Sequence, residues 1–66
     1  MQVWNTPPDR LGMEWRIEVR DAGRVSVYRR TGRRVWNTPL RRPRDLYELG
    51  GWLVDRGIDP DSLRAA

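Results

Sequence analysis

From Met13 to Arg20 the chain alternates without a break. Met13, Trp15, Ile17 and Val19 take one parity, and Glu14, Arg16, Glu18 and Arg20 take the other. An extended strand places successive side chains on opposite faces, so this stretch predicts a half-buried β-strand. Asp21-Ala22-Gly23 follows, with glycine placed for a left-handed turn residue. Val25 and Val27 alternate again in a second strand. Arg30-Thr31-Gly32 repeats the turn shape, and residues 34–38 predict a third, short strand. Three strands joined by tight turns form an antiparallel meander.

Turn length sets the register. If both turns are three-residue loops ending in glycine, Val19 faces Val25, Ile17 faces Val27, and Val27 faces Val35. One sheet face is then Trp15, Ile17, Val19, Val25, Val27 and Val35. The other carries Arg16, Glu18, Arg20, Arg24, Ser26, Tyr28, Arg30, Arg34 and Trp36. A one-residue shift in the second turn reverses the third strand, taking Trp36 inside and Val35 outside.

Pro39 and Pro43 bracket the link to a helix that starts at Arg44 or Asp45. Asp45 and Glu48 fall in its first turn, where the helix dipole favours acids. Leu46, Leu49 and Leu53 share one face and are expected to cover the apolar side of the sheet. Gly50 lies among them and is expected to allow close approach. Gly57 suits the C-terminal cap, and Asp59-Pro60 suits the start of a last capped turn. Trp52 falls off the leucine stripe. It either folds over the edge of the core or stands out as an anchor for a partner. The fold class is therefore α+β: a three-stranded antiparallel β-meander, with a candidate fourth N-terminal strand, packed against one C-terminal helix. Residues 1–12 read as an N-terminal arm or edge strand, since Pro7-Pro8 stops regular structure. Residues 13–66 read as a single domain.

Sixty-six residues without cysteine or histidine leave few staples. Neither a disulfide nor an ordinary structural zinc site is available. The core must rest on aliphatic residues, four tryptophans and, if needed, a second chain. The same absence removes the commonest general base and the best nucleophile. No phosphate-cradling glycine loop is present. The expectation is a non-enzymatic domain with no cofactor and no metal. No apolar run approaches a membrane span, and the first residues lack the pattern of a signal peptide. That reads as a cytoplasmic chain with no membrane partner.

Charge carries the functional signal. All thirteen basic residues are arginine. Residues 1–23 hold three arginines and four acids, residues 24–44 eight arginines and no acid, and residues 45–66 two arginines and five acids. Such a stripe attracts phosphate backbones by counterion release. Arginines interleaved with aromatic rings suit stacking on bases. The candidate nucleic-acid-binding residues are Arg24, Tyr28, Arg29, Arg30, Arg33, Arg34, Trp36, Arg41 and Arg42, with DNA placed ahead of RNA. The inferred topology is similar to the arm-binding domains of tyrosine recombinases and to plant AP2-type domains. That resemblance implies a sheet inserted into DNA; it carries no residue assignments.

Val3-Trp4-Asn5-Thr6-Pro7 recurs as Val35-Trp36-Asn37-Thr38-Pro39. The first copy is a candidate strand, pairing within the chain or across a homodimer and able to cover a bare edge of the third strand. This motivates the rival expectation of a protein-interaction or inhibitory module, phage-like or dimeric, that binds an acidic protein. Val3, Trp4 and Trp52 are its candidate contact residues. The chain is then a monomer or a homodimer. Arg16 and Arg20 can also serve as simple cross-strand ion-pair partners for Glu14 and Glu18, and the arginines at the second turn can be simply solvated.

Overall fold

A computed structural model describes residues 1–66. The strands are β1 (Gln2–Asn5), β2 (Glu14–Val19), β3 (Val25–Thr31), β4 (Arg34–Val35) and β5 (Arg64–Ala65), with one helix α1 (Leu46–Asp55) before the last strand. They form one antiparallel sheet in the order β4-β3-β2-β1-β5. The α+β meander expected from the alternation is present, extended by a strand on the far side of β1. Of the first twelve residues, Gln2–Asn5 enter the sheet as β1, one place in from its edge. No helix is long and apolar enough to cross a membrane.

The central hairpin has the register its alternation predicts. Val19 pairs with Val25 and Ile17 with Val27. The loop Asp21–Gly23 holds both Ala22 (φ 63°) and Gly23 (φ 70°) in the left-handed region. That conformation disfavours an alanine, whose Cβ crowds the following carbonyl.

The second hairpin departs from expectation. Thr31 pairs with Arg34 and Arg30 with Val35, so the loop is two residues, Gly32-Arg33. Gly32 has φ 60° and Arg33 does not share it, the pattern of a two-residue loop with glycine in its first central position. The shift reverses the third strand. Val35 lies beside Arg30 on the outer face instead of facing Val27. Trp36 leaves the outer face and follows Arg29, whose carbonyl accepts its N–H at 3.0 Å. Val27 instead meets the link to the helix. Its N–H donates to the Arg41 carbonyl at 2.9 Å, and its carbonyl accepts from Leu40 N–H at 2.8 Å.

The core joins the inner sheet face to the helix. Trp15, Ile17, Val25, Val27, Leu49, Leu53 and Ile58 are buried, with Trp4, Met13, Val19, Trp52 and Leu63 packed around them. The Asp45 carboxylate caps α1, accepting the Glu48 N–H at 2.8 Å. Gly57, at φ 79°, ends it. The leucine stripe is narrower than expected, because Leu46 is exposed at the first turn. Gly50 permits no close approach either: a Cβ at Gly50 or at Gly51 meets no atom within 4 Å. Replacing both with alanine should therefore stabilise the domain by about 1–2 kcal/mol through helix propensity alone. A urea melt checks this; unchanged or lower stability would mean the backbone at these positions has another role.

Candidate nucleic-acid interface

The two faces of the sheet treat arginine differently. On the outer face Arg16, Arg20 and Arg30 are neutralised. Glu18 accepts from Arg16 at 3.2 Å and from Arg20 at 2.9 Å, and Glu14 accepts from Arg30 at 3.2 Å. Arg30 is thus held in an ion pair across β2 and β3. The hydrogen bond to Glu18, the charge of Glu18 and the nearby Tyr28 raise the Arg20 pKa further above its ordinary value.

The edge of the sheet is unneutralised. Arg24, Arg29, Arg33, Arg34, Arg41 and Arg42 are exposed, and none has a carboxylate within ion-pair distance. Arg24 immediately precedes β3, Arg29 lies near its far end, Arg33 sits in the tight loop, and Arg34 opens β4. Arg41 and Arg42 follow where the link runs back along β3. The sequence spread these residues over a face, two turns and a helix entry. The hairpin brings Arg29 and Arg34 together over Trp36, and the returning link brings Arg42 into the same concavity as Arg24.

Trp36 stands among them. It is 37% exposed, with the guanidinium carbon of Arg34 4.9 Å and that of Arg29 5.2 Å from its ring centroid. These are cation–π distances, and they hold two positive groups beside an accessible indole. Tyr28 is half-buried on the opposite, outer face, where it pairs with Arg16 across β2 and β3. The structure therefore does not bring Tyr28 and Trp36 onto one face, as the three-residue turn had implied.

The candidate protein-contact residues lie elsewhere. Trp4 pairs with Ile17 and packs against the core, while Val3 pairs with Glu18 on the outer side. Both edges of β1 are taken inside the chain, by β2 and β5, and the Val3 carbonyl accepts the Ala66 N–H at 3.0 Å. The first copy of the repeat thus has no free edge to offer a second chain, and it does not cover β4. Trp52 is half-buried and meets Trp15 edge-on, with centroids 5.0 Å apart.

One cluster escaped the sequence reading. Asp9, placed in the N-terminal arm, is buried. Its Oδ1 accepts from the N–H groups of Leu11 and Met13, each at 2.9 Å. Its Oδ2 accepts from Trp15 Nε1 at 3.0 Å and lies 3.6 Å from Arg56 Nη1. Arg56 in turn lies 4.8 Å from the Trp15 ring centroid and 4.6 Å from that of Trp52. Desolvation pushes the Asp9 pKa up. The hydrogen bonds from Trp15, Met13 and Leu11 and the charge of Arg56 outweigh it and hold the carboxyl below its ordinary 3.8. The signal was the local run Pro8-Asp9-Arg10-Leu11-Gly12, an aspartate with a glycine three residues on, as in turns that aspartate closes on its own backbone. The cluster ties the first loop to sheet and helix at once, and it commits the Asp9 carboxylate to Trp15 and Arg56.

The fold and edge define a small α+β domain presenting unpaired arginines beside one exposed tryptophan. Compared with known protein families, curated proteins and solved structures, the chain matches none.

Proposed function

We propose that this is a non-enzymatic nucleic-acid-binding module that uses the β3–β4 side of its sheet rather than the flat outer face. The observation that carries the reading is the set of six exposed arginines without an internal carboxylate, two of which, Arg29 and Arg34, flank the exposed Trp36 ring. Guanidiniums already paired to Glu14 or Glu18 gain little from phosphate. Unpaired ones release counterions when a phosphate arrives and fork onto its oxygens. Trp36 supplies a stacking surface that does not depend on base identity, so the expected binding is tolerant of sequence. DNA stands ahead of RNA in this reading, on the analogy of sheet-based DNA readers.

Fluorescence anisotropy with labelled duplex and single-stranded DNA across a salt series tests it. Replacing Arg29 and Arg34 with alanine removes two phosphate contacts, so the duplex slope of log K against log salt should fall by about 1.8. Replacing Arg16 and Arg30, both paired internally, should leave that slope nearly unchanged. No binding of either strand form at low salt rules the proposal out. An acidic protein segment would meet the same six arginines, and competition by a polyglutamate peptide but not by DNA would mark that partner instead.

A further inference from the structure

The surface has five cavities, and four of them carry an aspartate or glutamate in the wall. The fifth, of about 420 Å³, is lined by Arg20, Arg24, Arg42 and Arg44 with Ser26 and Tyr28, and by no acid. Two chain segments meet there: the start of β3 with the turn before it, and the link that leads into α1. Buried Pro43 anchors that link against the domain. Arg20 and Arg44 are each held by an acid standing outside the wall, Glu18 at 2.9 Å and Glu48 at 3.1 Å. Arg24 and Arg42 have no acid at all.

Two of the four guanidiniums around this concavity, those of Arg24 and Arg42, are therefore left without a counter-charge. A long strand does not need such a site, since it is satisfied by charges spread along an edge. A compact ion with two negative charges matches the two unpaired guanidiniums of Arg24 and Arg42 and fits within the concavity. Its oxygens can accept from the Arg24 and Arg42 guanidiniums, and the Ser26 and Tyr28 hydroxyls of the same wall can donate beside them. We infer that this cavity is a binding site for a dianionic phosphoryl group, either inorganic phosphate or the terminal phosphate of a nucleotide or strand. The inference goes beyond the strand-binding edge and survives its failure, because it needs no nucleic acid to be tested.

The experiment is thermal unfolding of the whole chain at fixed ionic strength, with chloride exchanged for a few millimolar inorganic phosphate. Binding to the folded state alone raises Tm with phosphate concentration. Arg24→Ala and Arg42→Ala remove exposed, unpaired side chains, so both variants should fold and each should weaken phosphate affinity about tenfold or more. Arg64→Ala, which removes the same charge from β5 outside the cavity, should leave the affinity as it was. The paired Arg24/Arg42 variant also controls for the general stabilisation that excluded anions give. The idea is overturned if phosphate shifts Tm no more than chloride, or if Arg64→Ala weakens it as much as Arg24→Ala. The source is read in a second arm, by comparing single strands with a 5′-phosphate and a 5′-hydroxyl. Tighter binding of the phosphorylated strand assigns the site to strand ends, whereas equal binding alongside a phosphate-dependent Tm assigns it to free phosphate.

Discussion

Asp9→Ala should leave most of the protein unfolded at 25 °C. Breaking a buried charge pair on one side costs about 3–5 kcal/mol, because the remaining groups stay buried without a partner. Here Trp15 Nε1–H and the N–H groups of Leu11 and Met13 would lose their acceptor, and Arg56 its counter-charge. A core of this size seldom provides more than about 3–5 kcal/mol in total. Circular dichroism and a urea titration read the loss directly; a variant within about 1 kcal/mol of the parent would refute the central role given to this carboxylate. Asp9→Asn is the informative companion. Its oxygen can still accept from Leu11 and Met13, but its amide turns a donor toward the Trp15 donor and Arg56. Loss of stability should persist although shape is kept.

The pH dependence has a definite sign. Asp9 binds its proton less readily folded than unfolded, since its pKa is lowered from 3.8. Its contribution is complete above the unfolded-state value and disappears as pH falls through the folded-state value. Stability should therefore decline on acidification below about pH 4, and Asp9→Asn should flatten that part of the curve. With no histidine in the chain, no side chain of that type adds a transition near neutrality.

Trp15→Ala should be comparably severe, at about 3–5 kcal/mol. The indole is 1% exposed, closes the core beneath Leu49 and Leu53, meets Trp52 edge-on and donates to Asp9. Trp15→Phe separates these roles. It keeps most of the apolar volume and removes the donor, so it should cost about 1–3 kcal/mol for the carboxylate left under-satisfied. If Trp15→Phe and Asp9→Asn act through the same contact, their combined loss falls short of the sum of the two. Strict additivity in a denaturant-based cycle would argue that the hydrogen bond contributes little.

Much of the sheet was legible because parity is a local property. The alternation from Met13 to Val27 placed β2 and β3 and their inner residues, and a glycine-ended loop set their register. The third strand was not legible to the same degree. Gly32 fits a three-residue turn as its last residue and a two-residue turn as its first, and the two choices differ by one residue in register. That difference reversed Val35 and Trp36 and moved the candidate interface from the outer face to the sheet's side. β5 has only two residues, too few to carry a pattern. Asp9 was missed for another reason: its turn was local, but Arg56 lies at the far end of the chain and only folding brings it near.

The repeated Val-Trp-Asn-Thr-Pro separates the two levels most clearly. The five residues by themselves predict an extended segment that proline terminates; the first copy is that, whereas the second leaves the strand after Val35 and bends at Asn37-Thr38. Their fates are set by neighbours. In the first copy Trp4 packs against the core between paired strands, and buried Thr6 accepts the Trp15 N–H at 3.0 Å. In the second only Val35 belongs to the sheet, at an open edge, and Trp36 stays exposed between Arg29 and Arg34. Composition and alternation determined an arginine-rich meander on a tryptophan core. Which tryptophan is buried, and which arginines remain without a carboxylate, was decided by strand order, because burial and pairing depend on what lies alongside in space.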